Sequence, residues 1–173
     1  MVFWHVGGTL AVVRYVFRDP AMDLRFVILG SLLPDLIDKP IGTLLFVHRF
    51  RSGRIFSHTL LFSLVLMTMV MALTSRGTPA RRAWLGVPIG SLVHLVLDGM
   101  WGQPETFWWP FLGWSFPGTE QPYWTLAAVL GNPVVLLQEA LGLAYLVYLW
   151  RKARLSQPKR GLDFLRTGRL GGA

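Results

Sequence analysis

Five apolar stretches separated by charged turns constrain this chain more than any other feature. They are Phe3–Phe17, Ala21–Ile37, Ile55–Thr74, Ala83–Trp101 and Trp124–Trp150, each 15 to 27 residues long. About 20 apolar residues cross a ~30 Å hydrocarbon layer, so the pattern predicts an all-α integral membrane bundle of about five transmembrane helices. Composition points the same way, with 53% hydrophobic residues and only 15% charged, where a soluble domain carries about 25%. The wealth of aromatics excludes a disordered chain, and the lack of cysteine excludes a disulfide framework and thiolate chemistry. The first stretch has no basic residue before Arg14, so it reads as a retained helix and not a signal peptide. Residues 1–150 are expected to form one transmembrane domain. It carries an insert at 39–54, whose apolar piece 41–47 lies in the interface, and an outer connection at 102–123. Residues 151–173 form a basic tail expected to fray.

Charge then sets orientation. There are 17 Lys and Arg against 9 Asp and Glu. A nucleic-acid binder would carry this excess on a polar face; here it lies between apolar runs, so no nucleic-acid partner is expected. With the tail cytoplasmic, as the positive-inside rule requires, five crossings place 13 basic residues inward and four outward: Lys39, Arg49, Arg51 and Arg54. The connection 102–123 contains no Lys or Arg and falls outside, where Phe107, Trp108, Trp109, Trp101 and Trp114 read as an interfacial aromatic belt.

Ionisable groups in or beside apolar segments mark functional sites. His5, Asp35, Asp38, His58, His94 and Asp98 come from four separate segments, and this topology delivers all of them to the outer level of the membrane. His94 and Asp98, four apart, share a helix face; Asp35 and Asp38, three apart, share one if the helix continues past Pro34. A lone histidine on an apolar helix is an ordinary packing residue, but convergence at one level suits a divalent metal. Mixed imidazole and carboxylate donors favour zinc, with manganese or iron as other choices, and six donors suffice for one or two ions. Arg49, Arg51 and Arg54 precede His58 and are suited to bind phosphate oxygens or lipid headgroups; Arg54 is the nearest. His48 and Glu139 are further candidates, Glu139 as a ligand or as the partner of a buried Arg14.

Several of these segments resemble a known family. Leu33-Pro34-Asp35-Leu36-Ile37-Asp38 resembles the Pro-Asp-x-Asp signature of the membrane-bound metal-dependent hydrolases, which include the LexA-binding inner membrane-associated hydrolases. Gly53-Arg54-Ile55-Phe56-Ser57-His58-Thr59-Leu60 is similar to their His-Arg-Gly-x-Thr-His-Ser-Leu segment. Val93-His94-Leu95-Val96-Leu97-Asp98 is similar to their His-x-x-x-Asp helix, and Trp109-Pro110-Phe111 to their Trp-Pro-Phe element. The resemblance covers residues 1–116 and extends distantly to zinc-dependent phospholipase C. It implies metal-ligand roles for His5, one of Asp35 and Asp38, His58, His94 and Asp98. The chain departs from the pattern in spacing its aspartates by two residues, and in placing Gly53 where the family has histidine.

The resulting expectation is a hydrolase of a bacterial or archaeal cell membrane, its metal site near the extracytoplasmic face. It would cleave a phosphoester of a lipid or lipid-linked substrate with metal-activated water, Arg54 steadying phosphoryl charge and Asp38 or Asp35 acting as base. The alternative is a non-enzymatic membrane protein holding a structural or transported metal ion.

Overall fold

The computed structural model describes residues 1–118 and 130–170. They are all-helical, with no strand among them. Helix α1 is Val2–Val16 and α2 is Leu24–Pro40, followed by a π-helical turn at Ile41–Leu45 and the short α3, Val47–Phe50. A 3-10 turn at Phe56–His58 leads into α4, Leu60–Leu73; α5 is Pro79–Trp84 and α6 Gly86–Leu97. After another 3-10 turn, Met100–Gly102, come α7 (Pro104–Phe107), α8 (Pro133–Lys152) and α9 (Pro158–Thr167). Residues 119–123 of the expected outer connection and 124–129 of the fifth apolar stretch lie outside the described residues.

Local chemistry sets several boundaries. The side chains of Asp23, Thr59, Thr78 and Asn132 accept backbone N–H bonds in the first turns of α2, α4, α5 and α8, satisfying donors that a helix start leaves free. Gly99, at φ +62°, follows Asp98 in the left-handed conformation that ends a helix.

Close helix pairing does the positioning. A Cβ on Gly30 would run into the Val87 carbonyl, and one on Gly90 into the Val27 carbonyl, so α2 and α6 approach to backbone contact, as small residues allow. Phe26 and Val27 meet Gly86, and Ser31 meets Gly90: the two helices run parallel. Gly7 and Gly142 bring α1 and α8 together in the same way. Buried Val6, Leu10, Val13, Leu24, Val27, Val93 and Leu149 fill the space between these helices.

Only α8, among the described residues, is both long and apolar enough to cross a membrane. Helix α4 has 14 residues, about 21 Å at 1.5 Å per residue, against a ~30 Å hydrocarbon layer. The apolar stretches are longer than the helices because their ends go into turns: Ile55–His58 is not part of α4 but wraps around a buried carboxylate. The tail also departs from expectation. It forms α9 and docks on the start of α2 instead of fraying: Leu24 N–H donates to the Gly168 carbonyl at 2.8 Å, and the Arg25 guanidinium to the Leu165 carbonyl at 2.6 Å. Ala153 and Leu170 are buried there.

Candidate metal centre

Asp38 organises the site from behind. Helix α2 continues through Pro34 to Pro40, so Asp35 and Asp38 share a face and grip His58 between them. The fully buried Asp38 carboxylate accepts N–H bonds from Ile55 (2.8 Å), Ser57 (3.0 Å) and His58 (3.1 Å), and lies 2.7 Å from His58 Nδ1. Ser57 Oγ adds a bond to the Pro34 carbonyl at 2.9 Å. The segment before α4 is thus folded around one negative charge, and the His58 ring is oriented by it.

The other two rings are held in the same manner. His94 Nδ1 lies 2.6 Å from the Ser31 carbonyl, brought there by the close α2–α6 pairing. His5 Nδ1 is hydrogen-bonded to the Met1 carbonyl. An oxygen acceptor at Nδ1 favours the ring proton there and frees Nε2 of a neutral imidazole as a ligand atom; His5 Nε2 also faces an oxygen acceptor, Asp98 Oδ1 at 3.0 Å. All three Nε2 atoms then face a common region. His58 Nε2 and His94 Nε2 are 3.2 Å apart, and two bare lone pairs repel at that distance. The arrangement is at rest only with positive charge between them, a proton or a metal ion.

Carboxylates complete the cluster. Asp35 Oδ1 lies 3.5 Å from His58 Nε2; Asp98 Oδ2 lies 3.6 Å from His58 Nε2 and 3.8 Å from His94 Nε2; Asp98 Oδ1 lies 3.0 Å from His5 Nε2. Donors 2.0–2.1 Å from a tetrahedral zinc stand about 3.3 Å from one another, so these separations have the scale of a coordination shell. Six inward-facing atoms from five residues thus form groups that could hold a metal ion. Two triples offer ligand atoms within 4.8 Å of each other, His5–His94–Asp98 and Asp35–His58–His94. His94 belongs to both, and with Nδ1 committed to Ser31 it has one nitrogen to give.

The remaining sequence candidates separate clearly. Arg54 reaches the cluster, its Nε 2.9 Å from Asp98 Oδ2; Ser52 Oγ, bonded to the Arg54 amide and carbonyl, shapes the turn that aims it. Arg49 does not arrive with it. The exposed Arg49 lies over the Phe50 ring, and Arg51 ends α3 in the left-handed conformation at φ +47°. His48 is exposed on α3 and belongs to neither triple. Asp38, expected as a ligand or base, belongs to neither triple, and its oxygens are engaged by the 55–58 segment. Glu139 accepts the Phe3 and Trp4 amides at 3.1 and 3.4 Å, capping the start of α1 from α8. Arg14 lies ten residues further along α1, about 15 Å away, too far to be its partner.

Sequence reasoning missed Lys39, whose Nζ is 2.6 Å from Asp35 Oδ2. The i, i+4 spacing was the available signal. Beside Arg54 stands an aromatic wall: Phe56 packs edge-on against Phe50, Trp109 and Phe116, and Trp109 stacks on Phe116.

Compared with known proteins, residues 1–156 match the model of the YdjM inner membrane protein family. No curated protein and no solved structure matches the chain.

Proposed function

The chain belongs to the YdjM inner membrane protein family, and from that premise and the side-chain geometry we propose that it is a membrane-embedded, zinc-dependent phosphoester hydrolase acting on a lipid or lipid-linked substrate. In this reading α1, α2, α4, α6 and α8 lie within the bilayer, the site faces the extracytoplasmic side and the basic tail faces the cytoplasm. The observation that carries the proposal is the convergence of three Nε2 atoms whose Nδ1 positions are all occupied by oxygen acceptors. His5, His58, His94 and Asp98 would hold one ion, since His94 is common to both triples.

A divalent ion held there supplies Lewis acidity, acidifying water and offsetting phosphoryl charge. The chain's own residues do the rest. Arg54 binds phosphoryl oxygens through the nitrogens not turned to Asp98. Asp35, more exposed than Asp98 at 14% against 3% of the side chain, takes the proton of the attacking water and returns it to the leaving alkoxide. Asp38 keeps the His58 ring fixed. The aromatic wall at Phe50, Phe56 and Phe116 offers apolar surface to a lipid chain. A purely structural ion would be closed off on every side; the partial exposure of Asp35 and Arg54 supports an open edge.

The test is divalent-metal analysis of purified protein followed by assay of wild type and His94→Ala on a panel of lipid phosphoesters. The proposal predicts bound zinc and hydrolysis in wild type, both lost in the variant. Zinc-loaded wild type inert across the panel would overturn the enzyme reading.

A further inference from the structure

We infer that Lys39 is the second arm of a phosphate clamp with Arg54, and that the clamp selects a terminal phosphate, a lipid phosphomonoester, over a phosphodiester. The inference rests on the hydrolase reading above and names the substrate class of that same site.

The two carboxylates of the cluster are built alike. Asp98 turns Oδ1 to His5 Nε2 at 3.0 Å, and its Oδ2 bonds Arg54 Nε at 2.9 Å while facing His58 Nε2 at 3.6 Å and His94 Nε2 at 3.8 Å. Asp35 turns one oxygen to His58 Nε2 at 3.5 Å and the other to Lys39 Nζ at 2.6 Å. Each carboxylate therefore contacts both an imidazole nitrogen and a cation. Exposure separates the two: Lys39 is 30% and Arg54 24% exposed, whereas the His58 and His94 rings are at 0%. The cations form the rim and the rings the floor.

The cations share one stretch of that rim although they come from different segments. The Lys39 stem lies against Gly53, the residue before Arg54; a Cβ there would stand 3.4 Å from Lys39 Cγ. Both also have donors to spare. Arg54 spends Nε on Asp98, and its two terminal nitrogens have no partner among the described residues. Lys39 uses one of its three protons on Asp35.

Charge decides the ligand. Asp35, Asp38 and Asp98 offset Lys39, Arg54 and a proton shared by His58 and His94, so the metal-free cluster has no excess positive charge; a divalent ion supplies it and strengthens anion binding. A phosphomonoester presents three terminal oxygens and close to two negative charges. Two oxygens suit the planar guanidinium fork and the third suits a compact ammonium. A diester has two terminal oxygens and one charge, leaving Lys39 unmatched. The reaction on a monoester is attack of water on phosphorus, breaking the P–O bond to the lipid. The water proton passes through Asp35 to the leaving oxygen, releasing a lipid alcohol and inorganic phosphate.

The experiment is calorimetric titration of zinc-loaded, detergent-solubilised full chain with inorganic phosphate, methyl phosphate and dimethyl phosphate. Methyl phosphate is expected to bind as phosphate does and dimethyl phosphate about tenfold or more weaker. Lys39→Met should weaken phosphate binding by about tenfold, with zinc content unchanged, and Lys39→Arg should recover most of it. Equal binding of the two methyl esters, unchanged phosphate binding in Lys39→Met, or loss of zinc from that variant would each overturn the inference. Parallel assays use vesicles of phosphatidic acid and of phosphatidylglycerol. Cleavage of phosphatidic acid alone supports the inference, and cleavage of phosphatidylglycerol alone overturns it. If the predicted binding pattern holds and neither lipid is cleaved, the clamp stands and the hydrolase reading falls.

Discussion

The two ends of the helix bundle carry similar residues and use them differently. At the basic end, Arg25 bonds Asp23 at 2.6 Å and then reaches the Leu165 carbonyl, so its charge is spent on a helix cap and on docking the tail. At the other end, Arg54 bonds Asp98 at 2.9 Å with only its Nε, and the carboxylate turns its second oxygen toward an imidazole. Arg25 is 38% exposed and ties together backbone; Arg54 is 24% exposed and rims a buried cluster of rings. An arginine–aspartate pair by itself therefore says little about function. What distinguishes the second pair is the company of three imidazoles whose Nδ1 atoms are held by oxygen acceptors behind them.

Substitutions can break this contrast. The largest effect is expected from His94→Ala, which removes the nitrogen common to both triples; zinc affinity should fall by well over about 100-fold, read by competition with a chelating dye. Asp38→Asn comes next. It leaves every inward-facing atom in place but weakens the hold on His58 Nδ1, so zinc affinity should drop about 10–100-fold. The same variant should lower the melting temperature of the metal-free protein, because the amides of Ile55, Ser57 and His58 lose a charged acceptor. Arg54→Gln and Arg25→Gln form a direct pair. The first should reduce hydrolysis about 100-fold with little change in melting temperature. The second should leave zinc and hydrolysis alone and speed proteolysis between α8 and α9, where the tail is anchored. The smallest effect is expected from Arg49→Gln, whose side chain lies over Phe50 away from the cluster; hydrolysis should stay within about threefold.

The same contrast explains what could be read from sequence. The structure brings His5, Asp35, Asp38, His58, His94 and Asp98 together, the convergence expected from their places at the ends of the apolar segments. Which of two carboxylates on one face points forward was not legible, because Asp35 and Asp38 differ only by their position relative to the turn at 55–58, a long-range contact. The tail was misread as fraying because its glycines and arginines look loose in isolation. Gly168 accepts the Leu24 amide and Arg169 bonds the Ala21 carbonyl, partners more than 140 residues away. The partners of Glu139, offered as a ligand or as the partner of Arg14, were illegible for a similar reason: they are backbone amides at a helix start, which carry no sequence signature. Helix lengths were overestimated because apolar residues such as Ile55 and Phe56 continue the hydrophobic run while the backbone leaves the helix.

The central claim is that His5, His58, His94 and Asp98 together hold one divalent ion, and the most direct measurement is zinc bound per chain at equilibrium in purified wild type and His94→Ala. The account predicts one tightly held ion per wild-type chain and none in the variant. A wild-type chain that holds no divalent ion, or a His94→Ala chain that holds it equally well, would contradict it.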